Sequence, residues 1–209
     1  MVAHEMLSCG CRALGGISES MKFTALPLRG AFLVEQEAIG DDRGFFARTY
    51  CQEEFAAHGL NPRFVQANNS LSCTRGTLRG LHYQLGEFAE DKLIRCVHGA
   101  IFDVLVDLRP KSPTYLQHHT LELRAEMRNA VYVPRGCANG IQTLEPDTEL
   151  FYLASNFYEF SAERGIRWND PKFGIAWPLP AAVISPKDAS LRDFDPAWHL
   201  DPSYDEWTE

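Results

Sequence analysis

The sequence predicts an all-β domain, a sandwich or a barrel, and three observations carry that reading. Short apolar or alternating runs recur roughly every 8–12 residues, with turn-forming residues between them. Helical signals are confined to residues 52–59 and a short stretch after Pro186. No apolar run approaches the ~20 residues a membrane span needs, so no membrane partner is expected.

Taken in order, residues 1–20 hold Glu5, Cys9, Cys11 and the pair Gly15-Gly16, with no basic start followed by an apolar core. This is not a secretory signal. A disordered extension is expected there, followed by a single domain over residues 21–209. Residues 21–34 end in an apolar run bounded by turn formers and predict short strands. Asp41-Asp42-Arg43-Gly44 is a turn before Phe45-Phe46. Residues 52–59 predict a helix that Gly59 terminates. A strand is expected at residues 63–66, after Pro62. Further strands are expected at 93–97, 100–108, 114–123, 130–133, 140–144 and 150–154. Pro134-Arg135-Gly136 is a turn. After Trp168 the chain is rich in Pro and polar turns, which predicts loops, a strand at 182–184 and a short helix following Pro186. No internal repeat divides the chain.

Composition narrows the function classes. The chain has 209 residues, 45% hydrophobic and 23% charged, ordinary for a globular domain. A formal net charge of -8 argues against a nucleic-acid partner. It leaves room for a nucleotide-sized anion, because a few Arg and Lys gathered in a cleft act locally. The six Cys show no CxxC pair and no zinc spacing, and read as thiols of a reducing, cytoplasmic protein.

The chemistry concentrates in residues 68–84, where His82 follows Arg75 and Arg79, with Lys92 ten residues further on. We read His82 as a general base, the arginines as an anion site and Lys92 as support for a developing oxyanion. His118 and His119 are adjacent on an expected strand, so they face opposite ways and cannot both bind one metal.

Several motifs fall in sequence: Asp42-Arg43-Gly44-Phe45-Phe46, Gln66-Ala67-Asn68-Asn69-Ser70, Leu78-Arg79-Gly80-Leu81-His82-Tyr83-Gln84, Lys92-Leu93-Ile94-Arg95, residues 102–109, Ser112-Pro113-Thr114 and residues 165–171. Each is weak alone. Together, over about residues 21–188, they resemble the dTDP-4-dehydrorhamnose 3,5-epimerase family. The resemblance implies a cupin-type jelly-roll barrel with short flanking helices. It implies a homodimer and an isomerase of deoxysugar and polysaccharide biosynthesis, working without metal or organic cofactor. Metal-binding cupins use a His-x-His pair with a nearby Glu, whereas this chain reads His82-Tyr83-Gln84. The implied substrate is a nucleotide-linked, dTDP-type 4-keto-6-deoxy sugar, epimerised at carbon 3, carbon 5 or both.

By the same resemblance His82 is the base, Asp188 its partner, Lys92 the group near the keto oxygen and Tyr152 the acid on the opposite face. Arg43 and Arg79 are expected at the diphosphate. Phe46, Gln66, Asn68, Asn139, Tyr158 and Arg167 complete the expected substrate contacts. The residue types suit the reaction. A proton beside a ketone is weakly acidic, so its removal needs a base together with charge stabilisation at the enolate oxygen. A carboxylate fixes the imidazole tautomer. Inversion needs a second proton donor on the other face. Guanidinium groups match a diphosphate through planar bidentate donation.

The sequence departs from the family pattern at four places. Asn139 replaces a second pocket His, and Arg48 replaces an acid. Leu153-Ala154-Ser155 follows Tyr152 in place of a Lys-Thr-Thr run. Gln117-His118 stands where an aromatic follows Ser-Pro-Thr. These changes bear on substrate identity and on how many carbons react. Two alternatives are a sugar-nucleotide 3,4-ketoisomerase and a non-catalytic nucleotide-sugar-binding barrel.

Overall fold

The computed structural model describes residues 20–200. The expected extension at residues 1–20 therefore lies, but for Ser20, outside the described residues. Fourteen strands form among the described residues: β1 (Met21–Ala25), β2 (Phe32–Gln36), β3 (Ile39–Asp41), β4 (Gly44–Phe46), β5 (Gln66–Ser72), β6 (Thr77–Gln84), β7 (Lys92–His98), β8 (Ala100–Asp107), β9 (His118–Arg124), β10 (Asn129–Val133), β11 (Cys137–Thr143), β12 (Thr148–Ala154), β13 (Glu163–Gly165) and β14 (Val183–Ile184). Three short helices join them: α1 (Gln52–Ala57), α2 (Pro186–Ala189) and α3 (Pro196–His199).

The strands make two facing sheets, a jelly roll of cupin type. One sheet runs β1-β2-β10-β7-β12-β5. The other runs β13-β6-β11-β8-β9, with β14 parallel to the start of β6. The β3–β4 hairpin pairs only with itself.

Alternation along the strands sorts side chains between three apolar layers. Ile94, Cys96, Ile101, Leu105, Leu123, Val131, Ile141 and Leu150 fill the space between the sheets. Val104, Val106, Leu81 and Tyr83 point the other way, under the C-terminal segment with Phe173 and Phe194. Strand β8 reads as a run that is apolar but for Asp103 and Asp107, because both of its faces are covered. On the outside of the first sheet, Leu93 and Tyr132 pack under α1. There Phe55 is fully buried amid edge-on contacts with Phe23, Tyr50, Phe64 and Tyr132. Gly59 ends this helix as expected, at a φ of +70°, and the Leu60 N–H closes onto the Phe55 carbonyl.

Three strand expectations shift, and the one at 140–144 begins already at Cys137. The strand expected at 63–66 begins only at Gln66, because the Arg63 N–H turns back onto the Asn61 side chain at 3.0 Å. The strand expected from Thr114 begins at His118. Asp107 gathers the Ser112 and Thr114 hydroxyls at 2.5 and 2.6 Å and holds 112–116 as a tight loop. Asp107 also takes two hydrogen bonds from the Arg109 guanidinium, so the residues 102–109 and Ser-Pro-Thr motifs meet in a structural knot. Cys51, Cys73, Cys96 and Cys137 are free thiols. No described helix is long and apolar enough to cross a membrane.

Candidate active site

Between the sheets lies an open cavity of about 610 Å³. Strands β5, β7 and β12 form one wall, and β6, β11 and α2 the other. Of the expected site residues, His82, Asp188, Lys92, Tyr152, Gln66, Asn68, Arg79, Asn139 and Tyr158 line it.

Arg79 and His82 are three apart, an odd spacing that would put them on opposite faces of a regular strand. The register explains why both line the cavity. Arg79 pairs with Ile141 and His82 with Asn139, so β6 carries one residue more than β11 over that interval. This is a β-bulge. Gly80 makes it possible: its φ is +102°, and a Cβ there would lie 2.6 Å from the Asn139 carbonyl oxygen.

The bulge also anchors the base. The Gly80 N–H donates to Asp188 Oδ2 at 3.2 Å, while His82 Nε2 lies 2.7 Å from Asp188 Oδ1. Asp188 sits in the first turn of α2, where Ser185 caps the helix by accepting from the Asp188 N–H at 3.0 Å. The cap is thus Ser185, and the Asp188 carboxylate is left for His82. Burial pushes that carboxyl up. The His82 hydrogen bond and charge, the Gly80 N–H and Lys187 outweigh it and hold the group below its usual value.

Lys92 and Tyr152 face His82 from the other sheet. Lys92 opens β7, beside Ala154 of β12, and Tyr152 pairs with Ile94 and Asn68. Gln66 Oε1 accepts from the Tyr158 N–H at 2.9 Å, which ties β5 to the loop at the cavity mouth. The Tyr158 hydroxyl donates to Glu163 at 2.9 Å, and Glu163 pairs with Lys187. Arg79 donates to the Ser72 hydroxyl and the Leu71 carbonyl, at 3.1 and 3.0 Å, and has no carboxylate partner among the described residues.

Asn139 stands directly across from His82 in the neighbouring strand. Its amide nitrogen donates to Asp103 Oδ1 at 2.8 Å and to the Val104 carbonyl at 3.2 Å. Both amide hydrogens are thereby used, and the oxygen is what Asn139 has left to offer a ligand. Asp103 is fully buried and its other oxygen lacks a partner. Burial pushes its carboxyl up to about 8, against the pull of Asn139 and the Lys92 charge.

Three expected residues lie elsewhere. Arg43 is on the exposed β3–β4 hairpin, where its guanidinium is clasped by Asp41. Phe46, on the same hairpin, is 58% exposed. The hairpin belongs to neither main sheet, so nothing in the chain's own packing carries it to the cavity. Arg167 makes two hydrogen bonds to Asp193, at 2.6 and 2.8 Å, outside the cavity wall. Arg48, which replaces an acid, pairs with Glu54 of α1 rather than facing the cavity.

Sequence reasoning missed Glu90, Glu163, Lys187 and Asp103. The signal for Asp103 was legible: a carboxylate on an inward-facing position of an otherwise apolar strand. Glu90 and Glu163 lie at or beyond strand ends, where no periodicity marks them. No three His, Cys, Asp or Glu side chains converge as metal ligands among the described residues.

A cupin barrel whose cavity faces a His–carboxylate pair with a lysine and a tyrosine is a frame for proton transfer on a polar ligand. Residues 25–195 match the family model described as dTDP-4-dehydrorhamnose 3,5-epimerase. The enzyme of that name from Salmonella typhimurium is 43% identical over 176 residues, 83% of this chain and 94% of its own. A dTDP-4-dehydrorhamnose 3-epimerase from Streptomyces niveus is 37% identical over 169 residues, 80% of this chain and 81% of its own. The crystal structure of the 3,5-epimerase from Bacillus anthracis, with TDP and pyrophosphate bound, superposes with a TM-score of 0.81 at 39% identity, covering 84% of this chain and 100% of that one. The chain belongs to the dTDP-4-dehydrorhamnose 3,5-epimerase family, and is an enzyme of the isomerase class.

Proposed function

We propose that this chain epimerises a dTDP-linked 4-keto-6-deoxy sugar at carbon 3, carbon 5 or both, through an enolate and with no cofactor. One observation carries the reading. The His82–Asp188 pair comes from one wall, β6 and α2, while Lys92 and Tyr152 come from the facing sheet, so a sugar between the two walls meets a base on one face and an acid on the opposite face.

His82 takes the proton beside the ketone, and Asp188 holds the imidazole tautomer and steadies the imidazolium. Lys92 supplies positive charge at the enolate oxygen, a contribution of roughly 3 kcal/mol for an aimed donor. Tyr152 returns a proton from the far side, which inverts the carbon. Arg79 is the cation for the diphosphate, supported by its lack of a carboxylate partner among the described residues. Gln66, Asn68 and Tyr158 take the nucleoside end, and Asn139 presents its amide oxygen beside the sugar. The remote nucleotide holds the sugar in reactive geometry.

The protein acts as a homodimer. The β3–β4 hairpin supports this, since Arg43 and Phe46 are exposed and do not line their own chain's cavity. Incubation with dTDP-4-keto-6-deoxyglucose in heavy water tests the reading. Deuterium at carbon 3, carbon 5 or both is expected, with inverted product by NMR. No wash-in at either carbon overturns it.

A further inference from the structure

A cavity meant for a diphosphate is an unfavourable place for carboxylates, yet Glu90, Glu163 and Asp188 all line this one. Each has a basic side chain against it: Glu163 has Lys187, Asp188 has His82 and Glu90 has Lys92. The first two pairs lie on the side of β6 and α2. The third stands alone on the opposite wall and includes Lys92, the lysine read at the keto oxygen.

We propose that Glu90 is a positioning residue for Lys92, clamping the ammonium in the one place where it meets the enolate oxygen. The inference rests on the proton-transfer reading of this cavity. Glu90 Oε1 lies 3.1 Å from Lys92 Nζ, and the two side chains are only 8% and 16% exposed. Solvent screens such a pair little, so the attraction is directional in effect. Without it, lysine is a compact charge on a flexible four-carbon stem with many rotamers open to it.

Glu90 is itself fixed. The Gln84 side-chain nitrogen, with two hydrogens to share, lies within hydrogen-bond distance of the other Glu90 oxygen and of the Phe88 and Phe157 carbonyls, the last two at 2.9 and 3.1 Å. Gln84 Oε1 accepts from the Glu159 N–H at 2.6 Å. Gln84 therefore ties Glu90 to β6 and to the 157–159 loop that carries Tyr158. Both Glu90 oxygens already have a donor, Lys92 on one and Gln84 on the other. The other titratable groups around Lys92 have their own roles or partners. His82 and Tyr152 are the proposed base and acid. Asp103 on β8 bonds Asn139, and Asp91 is taken up by Arg135, Asn61 and Ser155.

The test is a double-mutant cycle on the full chain with Glu90→Gln, Lys92→Met and the pair together, read by deuterium wash-in and steady-state kinetics. Glu90→Gln keeps the shape and a hydrogen bond to Gln84 but removes the clamp. It should lower kcat roughly tenfold to a hundredfold with KM within about twofold, as expected when a charge is displaced by an ångström. It should add no further loss in the Lys92→Met background. Glu90→Asp, which withdraws the carboxylate by one methylene but keeps its charge, should fall between. An unchanged kcat, a change confined to KM, or full additivity of the two losses overturns the inference. Failure of the broader reading looks different, because the unmutated protein itself would then show no wash-in.

Discussion

Two arginine-bearing motifs, both expected at the diphosphate, end in opposite circumstances. Arg79 sits on a bulged strand inside the barrel, with its guanidinium steered by Ser72 and Leu71. Arg43 sits on a two-stranded hairpin outside both sheets and spends its donors on its neighbour Asp41. The first is positioned by the fold of its own chain, and the second only by local turn chemistry. An exposed ion pair of the second kind contributes little. The barrel wall is therefore where substitutions should be felt, and the hairpin where they should be tolerated unless a second copy uses it.

The largest difference should come from His82. His82→Ala removes the base and should reduce deuterium wash-in by roughly 10³–10⁴-fold, while circular dichroism stays unchanged. Tyr152→Phe should sharpen this by splitting the reaction: wash-in persists because the base is intact, but NMR shows the inverted product falling by roughly 10²-fold.

Two glycines give the next contrast. In Gly80→Ala the new Cβ meets a backbone oxygen at 2.6 Å and the backbone is held at a φ of +102°. A loss of roughly 2–4 kcal/mol is expected in urea unfolding, along with a misaimed His82. Gly44 also has a positive φ, +128°, but no atom lies within 4 Å of a Cβ built there. Gly44→Ala should cost only about 1 kcal/mol, and wash-in by a chain's own base should persist.

The same contrast explains what was legible in the sequence. Strands β7, β8, β10 and β12 could be read because alternation and continuous apolar runs record which faces are covered. The helix over residues 52–59 was visible from Gly59. The motif around His82 located the base, but only the register showed how Arg79 and His82 share a face. That depends on β11, some sixty residues away in sequence, and no local pattern reports it. The hairpin motif was equally visible, and still its side chains miss the cavity, because a turn signal carries no information about what the turn packs against. Glu90 and Glu163 escaped notice for a related reason. Their significance lies in the cations beside them, and pairs formed across loops leave no period in the chain.

The two arginines themselves offer a smaller effect. Arg79→Met should raise KM for the dTDP sugar roughly tenfold to a hundredfold, as loss of a charge-assisted contact does, with kcat less affected. Arg43→Met should raise KM only a few-fold. That rise should depend on association, shrinking as protein is diluted from the proposed dimer to monomer, followed by analytical ultracentrifugation, because an unmutated monomer lacks the second copy's arginine as well. A KM independent of protein concentration would confine each site to one chain.

The last effect separates the two regions by sign. Asp103, buried on β8, has its carboxyl pushed from 3.8 up to about 8. A group with a raised folded value binds its proton more tightly in the folded state. Its contribution is complete below pH ~4 and drains away as pH rises towards about 8. Asp41, on the hairpin, is held below 3.8 by its hydrogen bonds from Arg43. Its contribution is present above that pH and lost only as the pH falls through the lowered value. Asp103→Asn keeps the shape and cannot ionise, so it should flatten the decline in melting temperature between pH 5 and about 8, leaving the acid side alone. Asp41→Asn should do the reverse and more weakly, because solvent and salt screen an exposed pair. Melting curves at low and high salt check both: the Asp41 difference should vanish at 1 M salt, whereas the buried Asp103 difference should survive it. If both differences respond to salt alike, Asp103 is not sealed between the sheets, and the contrast between barrel wall and hairpin loses its electrostatic half.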